Sequence, residues 1–387
     1  MGIDERYAWL PDHQLPVAAT LAHADEIIGQ LADILFDYQS RPEGIFQLRE
    51  VPMVTHSQTV VIVVSPIPRK VPLLVADALV ALRNAIEHTL FAEIEFRDGA
   101  LGEKAAKTVE MPAARTYEDF DSWIKGRQKN GPPSLQRGSE LLRRIDGLQP
   151  FHRTVHPYEH PLALLALHTN HSKHRAPAVT AVRLAAIHRE GRTPPSLADV
   201  ERRPEVPLQV GDVIAETPRG QQSPVALLPT IGINRPGTER WPVLMKELDE
   251  LATWVRTQAV PRLITGTDPP SPALPPRYEI AIGHDEDRSA LGVGFTLSAA
   301  QLHSDRLSAA MVRRDMTETL GQMDDAPDEK QLAAWLASLS DKEILARMRM
   351  LKPTATYAPE IVLANVAVLE SMRDDARRFA GLDGEPE

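Results

Sequence analysis

Cysteine is absent from this chain of 387 residues, which removes disulfides, thiolate metal sites and a cysteine nucleophile together. Aromatic residues are scarce at 5%, which argues against a surface that stacks successive bases of single-stranded nucleic acid. No apolar run approaches the roughly 20 residues that span a bilayer. The longest, Thr59 to Ser65, is strand-sized. The start, Met1-Gly2-Ile3-Asp4-Glu5-Arg6, lacks a basic and then apolar secretion signal, so we expect a cytoplasmic protein with no membrane partner. A Walker loop, a Gly-x-Gly-x-x-Gly fingerprint, a Gly-x-Ser-x-Gly elbow and an HExxH helix are missing too, and the sequence calls for no cofactor.

What the chain does have is proline and uneven charge. Its 33 prolines require many turns and extended connections. The net charge is -10, yet residues 126–203 hold 13 Lys/Arg against 6 Asp/Glu, whereas residues 267–387 hold 13 against 21. A basic island in an acidic protein points to RNA or another anionic partner for residues 126–203. The acidic tail suits a protein partner or self-association.

Periodicity predicts an α+β protein, a helical core with a small inserted β-sheet and a smaller, mainly helical C-terminal domain. Helices are expected at Val17 to Tyr38, Pro72 to Phe96, Tyr117 to Ile124, Ser139 to Leu148, Pro161 to Lys173 and Trp241 to Thr257. Strands are expected at Gln58 to Val64, Val179 to His188, Leu208 to Ala215, Val225 to Ile233, Tyr278 to Ile282 and Leu291 to Leu297. The Pro-rich stretch 266–277 reads as a linker between a domain of residues 1–265 and an acidic domain of residues 278–387. Three further helices are expected there, at Ala299 to Met311, Glu329 to Leu351 and Pro359 to Phe379.

Seven of the 13 histidines fall between His152 and His188, around Asn170-His171-Ser172-Lys173-His174-Arg175 at the end of a predicted helix. On that helix His168, His171 and Arg175 share one side, and Asn170 and His174 another. One reading is a cationic, titratable patch at a helix C-terminus. The other has Lys173, His174 and Arg175 capping the helix carbonyls. A metal reading draws on His168 with His171, or on His152, His156 and His160. Pro157 breaks the second set and acidic partners are sparse, so no metal site is expected. The acids of Gly283-His284-Asp285-Glu286-Asp287 read as a solvated turn.

Earlier in the chain, Arg83-Asn84-Ala85-Ile86-Glu87-His88 resembles the signature of HEPN ribonucleases, which are helical domains. The resemblance implies Arg83 as a clamp on the scissile phosphate, Asn84 as its polar helper and His88 as the acid or base. Such chemistry needs only a positioned proton-transfer group and a cation beside the developing charge. Helical geometry offers a second reading. Residues five apart do not share a face, whereas Arg83 with Glu87 and Asn84 with His88 do. That reading is an ion pair plus a half-buried histidine.

Together, Arg83…Glu87-His88, Gln149-Pro150-Phe151, His160-Pro161-Leu162 and Lys173-His174-Arg175 resemble a recurring group of uncharacterised bacterial proteins, over about Leu74 to Thr265. That resemblance implies one shared architecture and brings no activity with it. If the motifs meet in space, Arg83, His88, Lys173 and His174 form one site. The sequence thus leaves two functions open. One is a metal-independent HEPN-like ribonuclease acting through Arg83, Asn84, His88, Lys173 and His174, with His168, Asn170, His171 and Arg175 binding. The other is a non-catalytic interaction protein whose basic island holds an anion.

Overall fold

Apolar residues at helical spacing make the first hundred residues a helical pair with a β-hairpin between its members. The computed structural model describes residues 5–189, 201–219, 225–266, 268–281, 283, 287–353 and 358–382. Helix α1 (Leu15–Gln39) leads through strands β1 (Phe46–Pro52) and β2 (His56–Val64) to α2 (Lys70–Asp98). Then come α3 (Glu103–Ala106), α4 (Tyr117–Arg127), α5 (Glu140–Asp146) and α6 (Pro161–His174). Strands β3 (Thr180–Arg189), β4 (Glu201–Arg202), β5 (Val213–Pro218) and β6 (Val225–Ile233) follow, then α7 (Leu244–Trp254) and α8 (Val260–Thr265). The last helices are α9 (Asp287–Gly292), α10 (Ala299–Gly321), α11 (Glu329–Ser338), α12 (Asp341–Met350) and α13 (Pro359–Phe379). The protein is α+β, with small antiparallel sheet pairings within a helical body.

The chain divides into two compact units. The first is Met1–Ala185, Pro204–Gly220 and Pro229–Ala300, and the second is Ala186–Arg203, Gln221–Leu228 and Gln301–Glu387. In the first unit α2 is the central element. Val71, Val75, Ala78, Leu79, Leu82, Ala85, Ile86, Leu90 and Ile94 are all buried along it, too broad a spread for a single stripe. Helices α1, α6, α7 and α8 pack on it. Each Val, Leu or Ile among them contributes about 1.5–3 kcal/mol when fully buried. In the second unit, Leu320, Leu332, Trp335, Ile344, Met372 and Ala376 form a separate core.

Strand β2 pairs antiparallel with both β1 and β5, in the order β1-β2-β5. The second sheet has the order β4-β3-β6. The strand expected at Leu208 to Ala215 starts later than predicted. A turn at Gly211 (φ 100°), in which Asp212 accepts from the Gln209 N–H at 2.8 Å, comes first. The helix from Leu244 runs past the predicted stop at Thr257, because a π-helical turn at Val255–Ala259 joins α7 to α8. Pro261 has no N–H to continue the ladder, and the wider turn ahead of it absorbs that loss.

Two predicted strands are corrected. Tyr278 to Ala281 is irregular, and Ile282 lies outside the described residues. Leu291 to Leu297 is the end of α9 followed by turns. Gly294 sits so close to Pro275 that a Cβ on it would lie 2.6 Å from the proline ring. The acids of His284 to Glu286 also lie outside the described residues. The Pro-rich stretch belongs to the first unit, which runs to Ala300. The Trp9 indole donates to Pro272 O at 3.1 Å, Arg256 donates to Leu274 O at 2.8 Å, and Leu274 and Tyr278 are buried. In the second unit the stretch predicted as one helix, Glu329 to Leu351, is α11 and α12. A capping box at Ser340 and Glu343 starts α12.

Candidate functional site

Arg83 lies on the central helix, so its guanidinium is carried into the protein, and the residue is only 8% exposed. Its Nη2 lies 2.6 Å from Glu87 Oε1 and also donates to Met111 O. Glu87 Oε2 in turn accepts from the Met111 N–H at 2.8 Å. Arginine and glutamate one helical turn apart thus grip both backbone groups of one residue in an extended segment. Burial raises the Glu87 pKa above the usual carboxylate value, and Arg83 only partly offsets it. The same segment is held again at Ala114, whose N–H donates to Gln149 Oε1 at 3.0 Å. Gln149 is buried and donates back to Ile145 O at the end of α5. Pro150 then opens a 3-10 turn that sets Phe151 against Phe120 and Tyr117.

A cavity of about 310 Å³ lies between this segment, α2 and α6. Arg83, Met111, Ala113, Glu110 and Arg115 form one wall. Ala163, Ala166, Leu167 and Asn170 form the other, at i, i+3, i+4 and i+7 of α6. Tyr158 stands at the edge, in the 3-10 turn Pro157–Glu159 that precedes α6. Arg83 Nη1 is buried and has no hydrogen-bond partner among the described residues. Arg115 is exposed and has no partner among the described residues. Glu110 is the one acid in the wall, and Arg127 Nη2 approaches it at 3.6 Å. Burial lowers the Arg127 pKa, with Glu110 and Glu87 opposing. The groups around the cavity therefore carry three guanidiniums against two carboxylates.

Helix α6 starts at His160, whose Nδ1 accepts from the Leu162 N–H at 3.2 Å. That ring packs edge-on to Trp254, and burial, aided by Arg153 and His152, pushes its pKa down to about 4. Just before it, His156 adopts a left-handed backbone (φ 54°), and its Nδ1 lies 2.6 Å from the Tyr158 hydroxyl.

The predicted site residues separate. Arg83 and Asn170 line one cavity, so the first motif does meet α6, at Asn170. Asn84 is half-buried and His88 exposed, and neither lines it. Lys173, His174 and Arg175, at the end of α6, are exposed and make no side-chain hydrogen bond or ion pair among the described residues. His171 is half-buried, and its carbonyl accepts from the Arg175 N–H at 2.9 Å. His168 is buried, with Nε2 3.6 Å from Glu247 Oε1, too long for a hydrogen bond. Glu247 is held by Arg235, whose Nε and Nη2 donate to its two oxygens at 2.9 and 2.8 Å. Burial raises the Glu247 pKa, but His168 and Arg235 more than reverse this and leave it low. His152, His156 and His160 turn to three different partners, Asp146, Tyr158 and the Leu162 N–H. Among the described residues no three His, Asp or Glu side chains gather to hold a metal ion.

The chain matches no family model, no curated protein and no solved structure. Sequence reasoning missed Arg115, Glu110 and Tyr158, which lie in irregular segments. The legible signal was on α6, where the small residues Ala163 and Ala166 share a stripe with Asn170 and leave room beside a helix that carries an arginine.

Proposed function

We propose that this protein binds a small anionic ligand in the cavity between α2 and α6. The observation that carries the reading is Arg83 Nη1, a buried cationic donor in the wall of a polar cavity with no partner among the described residues. A buried N–H without an acceptor costs about 1–3 kcal/mol, and more when charged, so native structures rarely leave one unfilled. A carboxylate or phosphate oxygen would satisfy it, and Arg115 would add a second, solvated cation. Asn170 adds a neutral hydrogen-bonding group. The volume is at the lower end for a small-molecule pocket. Tyr158 and Asn170 fall in the basic stretch 126–203, whose charge supports an anionic ligand for this cavity.

A ribonuclease of the HEPN kind asks for a histidine beside the phosphate clamp. His88 is exposed and outside this cavity, which is why binding is preferred to cleavage.

The test is calorimetric titration with inorganic phosphate. Wild-type protein is expected to bind one phosphate per chain, and Arg83→Met to weaken binding about tenfold or more, the usual loss for a charged hydrogen bond. Arg115→Ala, which breaks no side-chain hydrogen bond or ion pair among the described residues, is expected to weaken it about threefold. Wild-type protein that binds no phosphate would sink the reading. So would metal-independent RNA cleavage that His88→Ala abolishes with the fold intact.

A further inference from the structure

The cavity holds more than an anion site needs, and we infer that its ligand is an aromatic anion, a planar ring carrying a phosphate or carboxylate. This rests on the reading of the cavity as an anion site and adds the chemistry of the rest of the ligand. A bare phosphate would occupy the Arg83 end of about 310 Å³ and leave the remainder to water. The remainder is shaped. On the α6 wall Ala163 and Ala166 project only methyl groups, which gives a low apolar face. At the edge stands Tyr158, 51% exposed although it is a large aromatic residue. Its hydroxyl is tied to His156 Nδ1 at 2.6 Å, and the two rings meet edge-on with centroids 5.4 Å apart, which fixes the tyrosine ring. His156 adopts a left-handed backbone in making that contact, a conformation uncommon outside glycine. A fixed, exposed aromatic ring beside a slot with an alanine floor suits a second ring stacked on it. Asn170, whose side-chain amide has no partner among the described residues, can reach a polar substituent on that ring. An extended alkyl phosphate would use the cations and leave the tyrosine face unused.

The experiment compares three probes by calorimetry on the full chain: inorganic phosphate, glycerol 1-phosphate and phenyl phosphate. Phenyl phosphate is expected to bind about tenfold more tightly than glycerol 1-phosphate. Tyr158→Leu should erase that preference, and Tyr158→Phe, which keeps the ring but loses its tie to His156, should retain most of it. Because Tyr158 is exposed, neither change should unfold the protein, and circular dichroism checks this. Equal binding of the phenyl and glycerol esters by wild-type protein would overturn the inference. It would leave the anion site standing as long as Arg83→Met still weakened the binding of both about tenfold or more. A preference that survives Tyr158→Leu would also overturn it. Failure of all three probes to bind would remove both readings.

Discussion

Arg83 and Arg235 are both largely buried arginines paired with a glutamate, yet only one of the pairs is closed. Their side chains are 10% and 12% exposed. Arg235 spends Nε and Nη2 on the two oxygens of Glu247, and its Nη1 lies 3.9 Å from Glu159. Arg240 joins that second acid at 2.9 Å and Glu205 at 3.3 Å, which ties the irregular segment after β6 to α7 and to the turn before α6. Arg83 spends Nη2 on Glu87 and Met111 and leaves Nη1 with nothing, in the wall of a cavity. The difference teaches how to read a buried charge. A bidentate arginine with a second acid near its remaining nitrogen accounts for itself as scaffold. One with an unanswered donor beside empty space calls for something the chain does not supply.

The largest effect expected from this comparison lies in the closed region. Glu247→Ala would leave Arg235 without its bidentate partner in a site that water reaches poorly, and a broken buried pair typically costs about 3–5 kcal/mol. Urea denaturation should read that loss, and a variant within 1 kcal/mol of wild type would mean that the network is not scaffold. The double change Arg235→Met with Glu247→Leu sharpens the point. Apolar replacement of a whole buried pair is often close to neutral, so the double variant should recover most of the loss.

A second effect concerns α6, which serves both regions, with His168 beside Glu247 and Ala163 in the cavity wall. His160 caps it through Nδ1 as an acceptor, which a protonated ring cannot be. Its folded pKa of about 4 lies below the unfolded value of about 6.5. The fold therefore favours the neutral ring. The stability this lends is complete above pH 6.5 and drains away as pH falls from there to about 4. Because the ring is only partly buried, the loss should be on the order of 2 kcal/mol. His160→Asn keeps a good N-cap that does not titrate. Its stability should fall less than that of the wild type between pH 7 and 4, and parallel curves would break the argument.

Much of the framework was legible in the sequence. Helices α1 and α2 announce themselves by broad apolar faces, and α6 by Pro161 and Pro177 at its two ends. Strand β1 gave little signal, since Arg49 and Glu50 interrupt its alternation and its pairing with β2 is what makes it a strand. Half of the candidate site was visible. Arg83 and Asn170 stood in motifs, whereas Arg115, Glu110 and Tyr158 have no periodicity to mark them, and the segment that carries the first two is held at Met111 and Ala114 by residues distant in sequence. The motif residues turned out to do that placing. Arg83 and Glu87 hold Met111, Gln149 holds Ala114, and His160 starts the opposite wall. A sequence shows that these residue types recur together, but which backbone atoms they hold is a tertiary fact.

The smallest expected effect falls on the residues that the sequence made most conspicuous. His88, Lys173 and His174 are exposed and have no side-chain hydrogen bond or ion pair among the described residues. Exposed positions without such contacts usually change stability by no more than about 0.5 kcal/mol when replaced. Each alanine variant should therefore unfold with the wild type within that margin and bind phosphate with unchanged affinity. If the open cavity is an anion site, its cations are Arg83 and Arg115, and distant surface charge adds only a screened contribution. Raising the salt concentration should then weaken phosphate binding by the same factor in Lys173→Ala as in wild type. A Lys173→Ala variant that loses several-fold in affinity at low salt and recovers parity at high salt would show that the basic island acts on the cavity through its field. The line between scaffold and site would then have to be drawn around the whole of α6, not around one unpaired nitrogen.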